Sequence, residues 1–137
     1  HTFSFGSILT CVDVHQTLVV AGDAKGHVVV YSAEDGSTLG DLKIEGASIV
    51  DVRIHPTTKH ICVATSDGRV LVCSVEDNKL QQLAHFENEE STEYCCGALH
   101  PDGLLYAAGT STGKVQMWDF KNKVLASTLQ VSFGVKI

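Results

Sequence analysis

One phrase recurs three times in this chain, and that recurrence limits the fold more than any other feature. Val14-His15-Gln16-Thr17, Ile54-His55-Pro56-Thr57 and Leu99-His100-Pro101-Asp102 each lead into a short apolar run. A polar turn follows, and then a Gly-x-Val step: Gly26-His27-Val28, Gly68-Arg69-Val70 and Gly113-Lys114-Val115. The histidines are 40 and 45 residues apart and the glycines 42 and 45. Between these anchors the apolar residues alternate or form short continuous runs. No segment keeps an i, i+3, i+4, i+7 stripe for three turns, so the chain reads as all-β. Short strands repeating every 40–45 residues are the signature of propeller blades. A blade cannot bury its own two faces, so its core is made with its neighbours.

The pattern divides the chain into four-stranded antiparallel units at residues 8–44, 45–86 and 94–129, with the opening of a further unit at 131–137. Strands are expected at 8–14, 17–21, 27–32 and 37–44, then at 48–54, 59–64, 70–75 and 79–86, and finally at 94–99, 104–108, 114–120 and 123–129. Asp-Gly and Pro-Asp-Gly between them are turn chemistry, because Gly accepts positive φ and Pro presets a negative φ suited to a turn. Propellers close with four to eight blades. Three units therefore read as a partial fragment of a larger ring, seven-bladed by expectation. Both end blades would show apolar faces that invite self-association. The chain starts at His1, with an aromatic leader (Phe3, Phe5), and reads as a piece of a longer protein.

Charge and reactive residues narrow the function. The net charge of −6 argues against direct nucleic-acid binding, which needs clustered cations. Much of it lies in Glu87, Glu89, Glu90 and Glu93, read as a solvated loop. No apolar run approaches 18 residues, so no membrane-spanning helix is expected. The five cysteines (Cys11, Cys62, Cys73, Cys95, Cys96) lack C-x-x-C spacing and read as reduced core residues. Alternation along a strand would send Cys95 and Cys96 to opposite faces, one of them into the core. His15, His55 and His100 repeat one blade apart, so they cannot converge on one tetrahedral metal, and they read as caps on local backbone groups. No Gly-x-Ser-x-Gly and no phosphate loop occurs. The reading is no catalytic residue, no metal and no cofactor. Phe3, Phe5, Phe86 and Tyr94 fit either blade packing or exposed peptide anchors.

The segment Ala98–Phe120 carries a His-Pro-Asp-Gly turn, a small-residue second strand, a Gly-x-Val turn and a terminal Trp118-Asp119. In that order these features resemble a WD repeat, and the resemblance covers residues 8–129. The first two units hold Tyr31-Ser32 and Cys73-Ser74 where the third has Trp118-Asp119. Family blades often carry a polar network of Asp, His, Ser or Thr, and Trp. Matched residue by residue, its turn Asp falls on Asp67, with Asp23 a looser match in a turn read as two residues longer. Thr112 replaces it in the third unit. Within the family, the Trp-poor second unit, the acidic stretch 87–93 and the segment leading to Trp118-Asp119-Phe120 are similar to the propeller of a spliceosome-associated U-box ubiquitin ligase. That likeness implies a nuclear protein, with the cytoplasm as a second location, whose propeller docks substrates and partners in pre-mRNA splicing.

The expected function is therefore recognition of protein segments, since rigid strands hold variable loops. The expected contact rim is Lys25, Ser48, Asp67, Arg69, Ser111 and Lys114, with Lys25, Arg69 and Lys114 read as a recurring basic position. The alternatives are a WD-repeat scaffold of another complex and an RNA-binding propeller.

Overall fold

A computed structural model describes residues 8–56, 60–76, 79–87, 93–119 and 124–130. The expected leader (Phe3, Phe5), Glu89, Glu90, the Asp77-Asn78 turn, Phe120 and the further unit at 131–137 lie outside the described residues, as does the side chain of Phe86. The described chain consists of twelve strands. The first sheet contains β1 (Leu9–His15), β2 (Leu18–Asp23), β3 (His27–Ser32) and β4 (Thr38–Lys43). The second contains β5 (Ile49–Ile54), β6 (His60–Thr65), β7 (Arg69–Glu76) and β8 (Lys79–Glu87). The third contains β9 (Tyr94–Leu99), β10 (Leu105–Thr110), β11 (Lys114–Asp119) and β12 (Val124–Gln130). Each sheet is a meander in sequence order, with every pair antiparallel. The all-β, open, partial propeller expected from the repeats is the fold observed, with strand ends within about two residues of expectation.

The sheets stack face to face, and their first strands β1, β5 and β9 run side by side. Two cores result. The first, between sheets one and two, contains Val20, Val28, Val30, Ile49, Val52, Ile61, Val63, Leu71 and Cys73. The second, between sheets two and three, contains Cys62, Ala64, Val70, Tyr94, Tyr106, Ala108 and Trp118. The second sheet supplies both cores because period-2 alternation sends Ile61 and Val63 one way and Cys62 and Ala64 the other. Among the described side chains its strands β5, β6 and β7 are consequently buried on both faces.

Burial at equivalent positions shows which faces are covered. Val12 pairs with Ala21, and Val52 with Val63, at the same step of the first hairpin. Val12 is 62% exposed and Val52 is 1% exposed. Val14 and Ile54, two pairs further on, are 60% and 5% exposed. The chemistry is the same at these positions, and the only difference is that the first sheet covers Val52 and Ile54. On the outer side of the third sheet Leu105 is likewise exposed.

Candidate functional site

The β2–β3, β6–β7 and β10–β11 turns are built alike. In each, the glycine N–H bonds back to a carbonyl three residues earlier: Gly26 to Asp23 (3.4 Å), Gly68 to Thr65 (3.2 Å) and Gly113 to Thr110 (3.3 Å). The glycines take φ of +94°, +90° and +87°, a region that β-carbon sterics make costly for other residues. A side chain at the end of the preceding strand closes the turn. Asp23 Oδ1 accepts from the backbone N–H of Lys25 and His27 (2.9 and 2.8 Å). Thr65 Oγ1 accepts from Arg69 N–H (3.2 Å) and Thr110 Oγ1 from Lys114 N–H (3.1 Å).

This register corrects two sequence expectations. Asp23 is the counterpart of Thr65 and Thr110, and the first turn is the same length as the others. The residue in the Asp67 and Thr112 position is Lys25. The recurring basic position is then His27, Arg69 and Lys114, not Lys25, Arg69 and Lys114. Sequence matching aligned the acidic residues, whereas the hydrogen bonds align the strand-end caps.

The predicted rim residues do gather at this end of the sheets, bound to the loops that join one sheet to the next. Ser48 Oγ donates to Ala24 O (2.7 Å), and Ser48 N–H to Ser66 Oγ (3.1 Å). Arg69 pairs with Asp67 (2.9 Å) and donates from Nη2 to Glu45 O (3.0 Å). Ser111 N–H donates to Glu93 O (3.0 Å). Burial works against ionisation of Asp67, but the bonds from Arg69 and Thr65 outweigh it and hold the carboxyl below its usual range. Lys25 is exposed and Lys114 half-buried. Ser48, Asp67 and Arg69 thus brace the rim as much as they decorate it.

Trp118 and Asp119, the pair on which the repeat resemblance rests, take separate places. Trp118 is buried, and its Nε1–H donates to Tyr94 Oη (3.3 Å), whose hydroxyl in turn donates to Gln116 Oε1 (2.7 Å). Burial raises the Tyr94 hydroxyl to about 12. Tyr94 is therefore a core residue and not an exposed anchor. Asp119 ends β11, opposite Leu105 and Val124.

A polar cluster that sequence reasoning missed joins sheets two and three. Asp51 on β5 is buried, and Tyr106 on β10 donates to its Oδ2 (2.6 Å). Arg53 Nε donates to the same oxygen (3.2 Å), and Arg53 Nη2 reaches Gly97 O on β9 (3.0 Å). Burial lifts Asp51 above the ordinary carboxylate value, although the Tyr106 and Arg53 bonds oppose the rise. Burial and the Asp51 charge push Tyr106 far up. Gly97 leaves the room: a β-carbon there would fall on the Tyr106 hydroxyl. The sequence signal was an Asp and an Arg two residues apart inside an otherwise apolar strand, which places both on one face. On the neighbouring boundary, Asp13 Oδ2 accepts from Ile54 N–H (2.8 Å).

Of the turn histidines, His100 keeps the expected local cap and His55 does not. His100 Nδ1 accepts from Asp102 N–H (3.2 Å), the local cap expected. His55 Nε2 instead meets Gly103 O of the next sheet (3.1 Å) and ties two blades together. Among the described residues no three His, Cys, Asp or Glu side chains gather to hold a metal ion. Cys62 and Cys73 are buried as expected, and burial pushes their thiols up, Cys73 to about 12. Cys95 and Cys96 are both exposed, so neither is a core residue. A β-bulge in β9 interrupts the alternation on which that expectation rested.

No family model matches the chain. Among curated proteins it is 33% identical over 89 residues to pre-mRNA-processing factor 19 homolog 2 of Arabidopsis thaliana, covering 64% of this chain and 16% of that protein. It is 24% identical over 110 residues to pre-mRNA-processing factor 19 of Caenorhabditis elegans, covering 79% of the chain and 22% of that protein. A WD repeat-containing protein 55 homolog of Drosophila willistoni is 25% identical over 104 residues, covering 76% of the chain and 20% of that protein. The chain spans about a fifth of the length of these curated relatives. Among solved structures, the β-propeller domain of Myceliophteria thermophila Cps50 (Swd1) superposes with a TM-score of 0.77 at 11% identity, covering 93% of this chain and 43% of that one. The computationally designed Ika8 protein gives 0.82 at 18% identity, covering 97% and 39%.

Proposed function

We propose that this segment of a WD-repeat β-propeller is an interaction scaffold that binds protein segments along the rim formed by its β2–β3, β6–β7 and β10–β11 turns. One observation carries the reading. The three turns share a backbone held by the same bonds, yet the outward positions differ: Lys25, Asp67 and Thr112 in one series, His27, Arg69 and Lys114 in the other. A constant frame with variable tips suits recognition, because little conformational entropy is lost when the partner binds. The polar groups of the rim and of the inter-sheet cluster are tied to one another, which leaves recognition as the work they support.

The relatives named pre-mRNA-processing factor 19 favour a place in splicing, with a nuclear location and partners from spliceosome-associated complexes. If the parent protein is a U-box ubiquitin ligase, this segment contributes docking to it and no chemistry. The test is co-purification of splicing factors with the wild-type chain and with a Lys25→Glu/Lys114→Glu variant. The expected result is loss of those factors from the variant while its circular dichroism and melting temperature stay unchanged. Equal recovery of splicing factors by both proteins refutes the rim assignment, and their absence from the wild-type eluate refutes the splicing context. Binding that instead tracks RNA and weakens steeply with salt would replace it with an RNA-binding propeller.

A further inference from the structure

The β6–β7 and β10–β11 turns carry the same polar frame with one exchange at the tip. In the second sheet Thr65 Oγ1 accepts from Arg69 N–H and donates to Asp67 Oδ1, and Asp67 pairs with Arg69 (2.9 Å). In the third sheet Thr110 Oγ1 accepts from Lys114 N–H (3.1 Å) and lies 3.1 Å from Thr112 Oγ1. Thr112 thus stands where Asp67 stands, and Lys114 where Arg69 stands. The second sheet shows how this frame treats a negative tip: burial opposes ionisation of Asp67, yet the bonds from Arg69 and Thr65 outweigh it. The third sheet has the hydroxyl and the cation but a neutral tip. Thr112 is exposed, and its exposure belongs to the turn and not to the place of its sheet in the chain. Asp67 has a sheet on either side and its side chain is still 42% exposed. Ser111 beside it is half-buried and bound to Glu93 O, as Ser66 is bound to Ser48.

We propose that Thr112 is a phosphorylation site, and that Lys114 and the Thr110 hydroxyl hold its phosphate as Arg69 and Thr65 hold the Asp67 carboxylate. The donor is a nucleoside triphosphate on a serine/threonine protein kinase. Thr112 Oγ1 attacks the γ-phosphorus, and an O–P bond forms. The bond from that phosphorus to the β–γ bridging oxygen breaks, the nucleoside diphosphate leaves, and the hydroxyl proton passes to the kinase's base. The product carries about −1.5 to −2 at pH 7 and three strong acceptor oxygens. One can take the Thr110 proton while another meets the Lys114 ammonium. A phosphate oxygen sits one bond further from the backbone than a carboxylate oxygen of Asp, a difference that the flexible stem of Lys114 takes up. The equivalent turns offer no rival hydroxyl at the tip, since they carry Lys25 and Asp67 there. On the rim reading above, the modification turns a neutral tip anionic and changes the charge that a docked segment meets.

Two measurements test this, and no partner binding enters either, so failure of the rim reading leaves both readouts unchanged. In the first, the native chain is incubated with a cell extract and ATP and its phosphates are mapped by tandem mass spectrometry. Thr112 should be modified, Thr112→Val should lose that phosphate, and Ser111→Ala should keep it. No phosphate at Thr112, or incorporation undiminished by Thr112→Val, overturns the site. In the second, phosphothreonine is installed at Thr112 by genetic-code expansion and titrated by phosphorus NMR. Its second ionisation should fall about half a pH unit below that of the same residue in the urea-unfolded chain. Lys114→Gln should remove most of that difference at an unchanged melting temperature. A phosphate that titrates alike in the folded and unfolded chains, or that is indifferent to Lys114→Gln, overturns the brace.

Discussion

Val12→Ala and Val52→Ala form a matched pair, because the two valines hold equivalent steps of β1 and β5 and differ in coverage alone. Val52 is 1% exposed beneath the first sheet, whereas Val12 is 62% exposed. Removing two buried methyl groups forfeits about 1.6 kcal/mol of transfer free energy at roughly 0.8 kcal/mol each. The cavity left in a core that relaxes only partly raises the loss at Val52 to about 2–3 kcal/mol. At Val12 little more than a third of the side chain is withdrawn from water, so the loss is about 0.5 kcal/mol. The difference, about 2 kcal/mol, corresponds to roughly 1 M in urea midpoint for a slope near 2 kcal/mol/M. Urea unfolding followed by tryptophan fluorescence suits the measurement, since Trp118 lies in the second core and is the single tryptophan. It should be run at a concentration where sedimentation shows a monomer. Equal losses at the two sites would refute the claim that stacking of the first sheet on the second is what makes β5 a core strand.

Three further outcomes concern the cluster between sheets two and three. Tyr106→Phe removes the hydroxyl that bonds Asp51 and should cost about 1–3 kcal/mol in urea unfolding. With Asp51→Asn the loss should be less than additive in a double-mutant cycle. Gly97→Ala drives a methyl onto the Tyr106 hydroxyl and should destabilise by about 1–3 kcal/mol, with most of the loss removed in the Tyr106→Phe background. The pH dependence follows from the raised value of Asp51: its ionised form is less favourable folded than unfolded. Its contribution is complete below the ordinary carboxylate value and is lost as pH rises through the raised one. The stability gap between wild type and Asp51→Asn should therefore narrow from pH 4 to pH 7 in urea melts. A gap that widens over this range contradicts the assignment. Asp67, held below the usual value, acts with the opposite sign and is unchanged by that substitution.

The structure extends the rim reading in one respect. Asp67 and Arg69 lie at the β6–β7 turn and Ser48 immediately before β5. Ser48 bonds Ala24 of the first sheet, Arg69 bonds Glu45 in the loop between the first two sheets, and Asp67 braces Arg69. Single substitutions at these three positions mix binding with stability, whereas the exposed Lys25 offers a cleaner test of contact.

Much of this protein is written locally. Period-2 alternation, Gly-x-Val turns and the 40–45-residue rhythm lie within a few residues of one another, so the strands and their grouping into three four-stranded sheets follow from the sequence alone. The positive φ at Gly26, Gly68 and Gly113 is of the same kind, since only a residue without a β-carbon takes it readily. Tertiary structure decided what depends on stacking. Asp51 and Tyr106 are 55 residues apart and meet only because sheet three lies on sheet two. The equivalence of Asp23 with Thr65 and Thr110 is carried by hydrogen bonds to the backbone and not by shared side-chain chemistry. The bulge beside Cys95 and Cys96 is an extra residue whose position alternation cannot reveal, because its effect is to break the alternation. The repeat determined what each blade is, and the packing of one blade on the next determined which of its polar groups are paired and which of its apolar ones are left facing water.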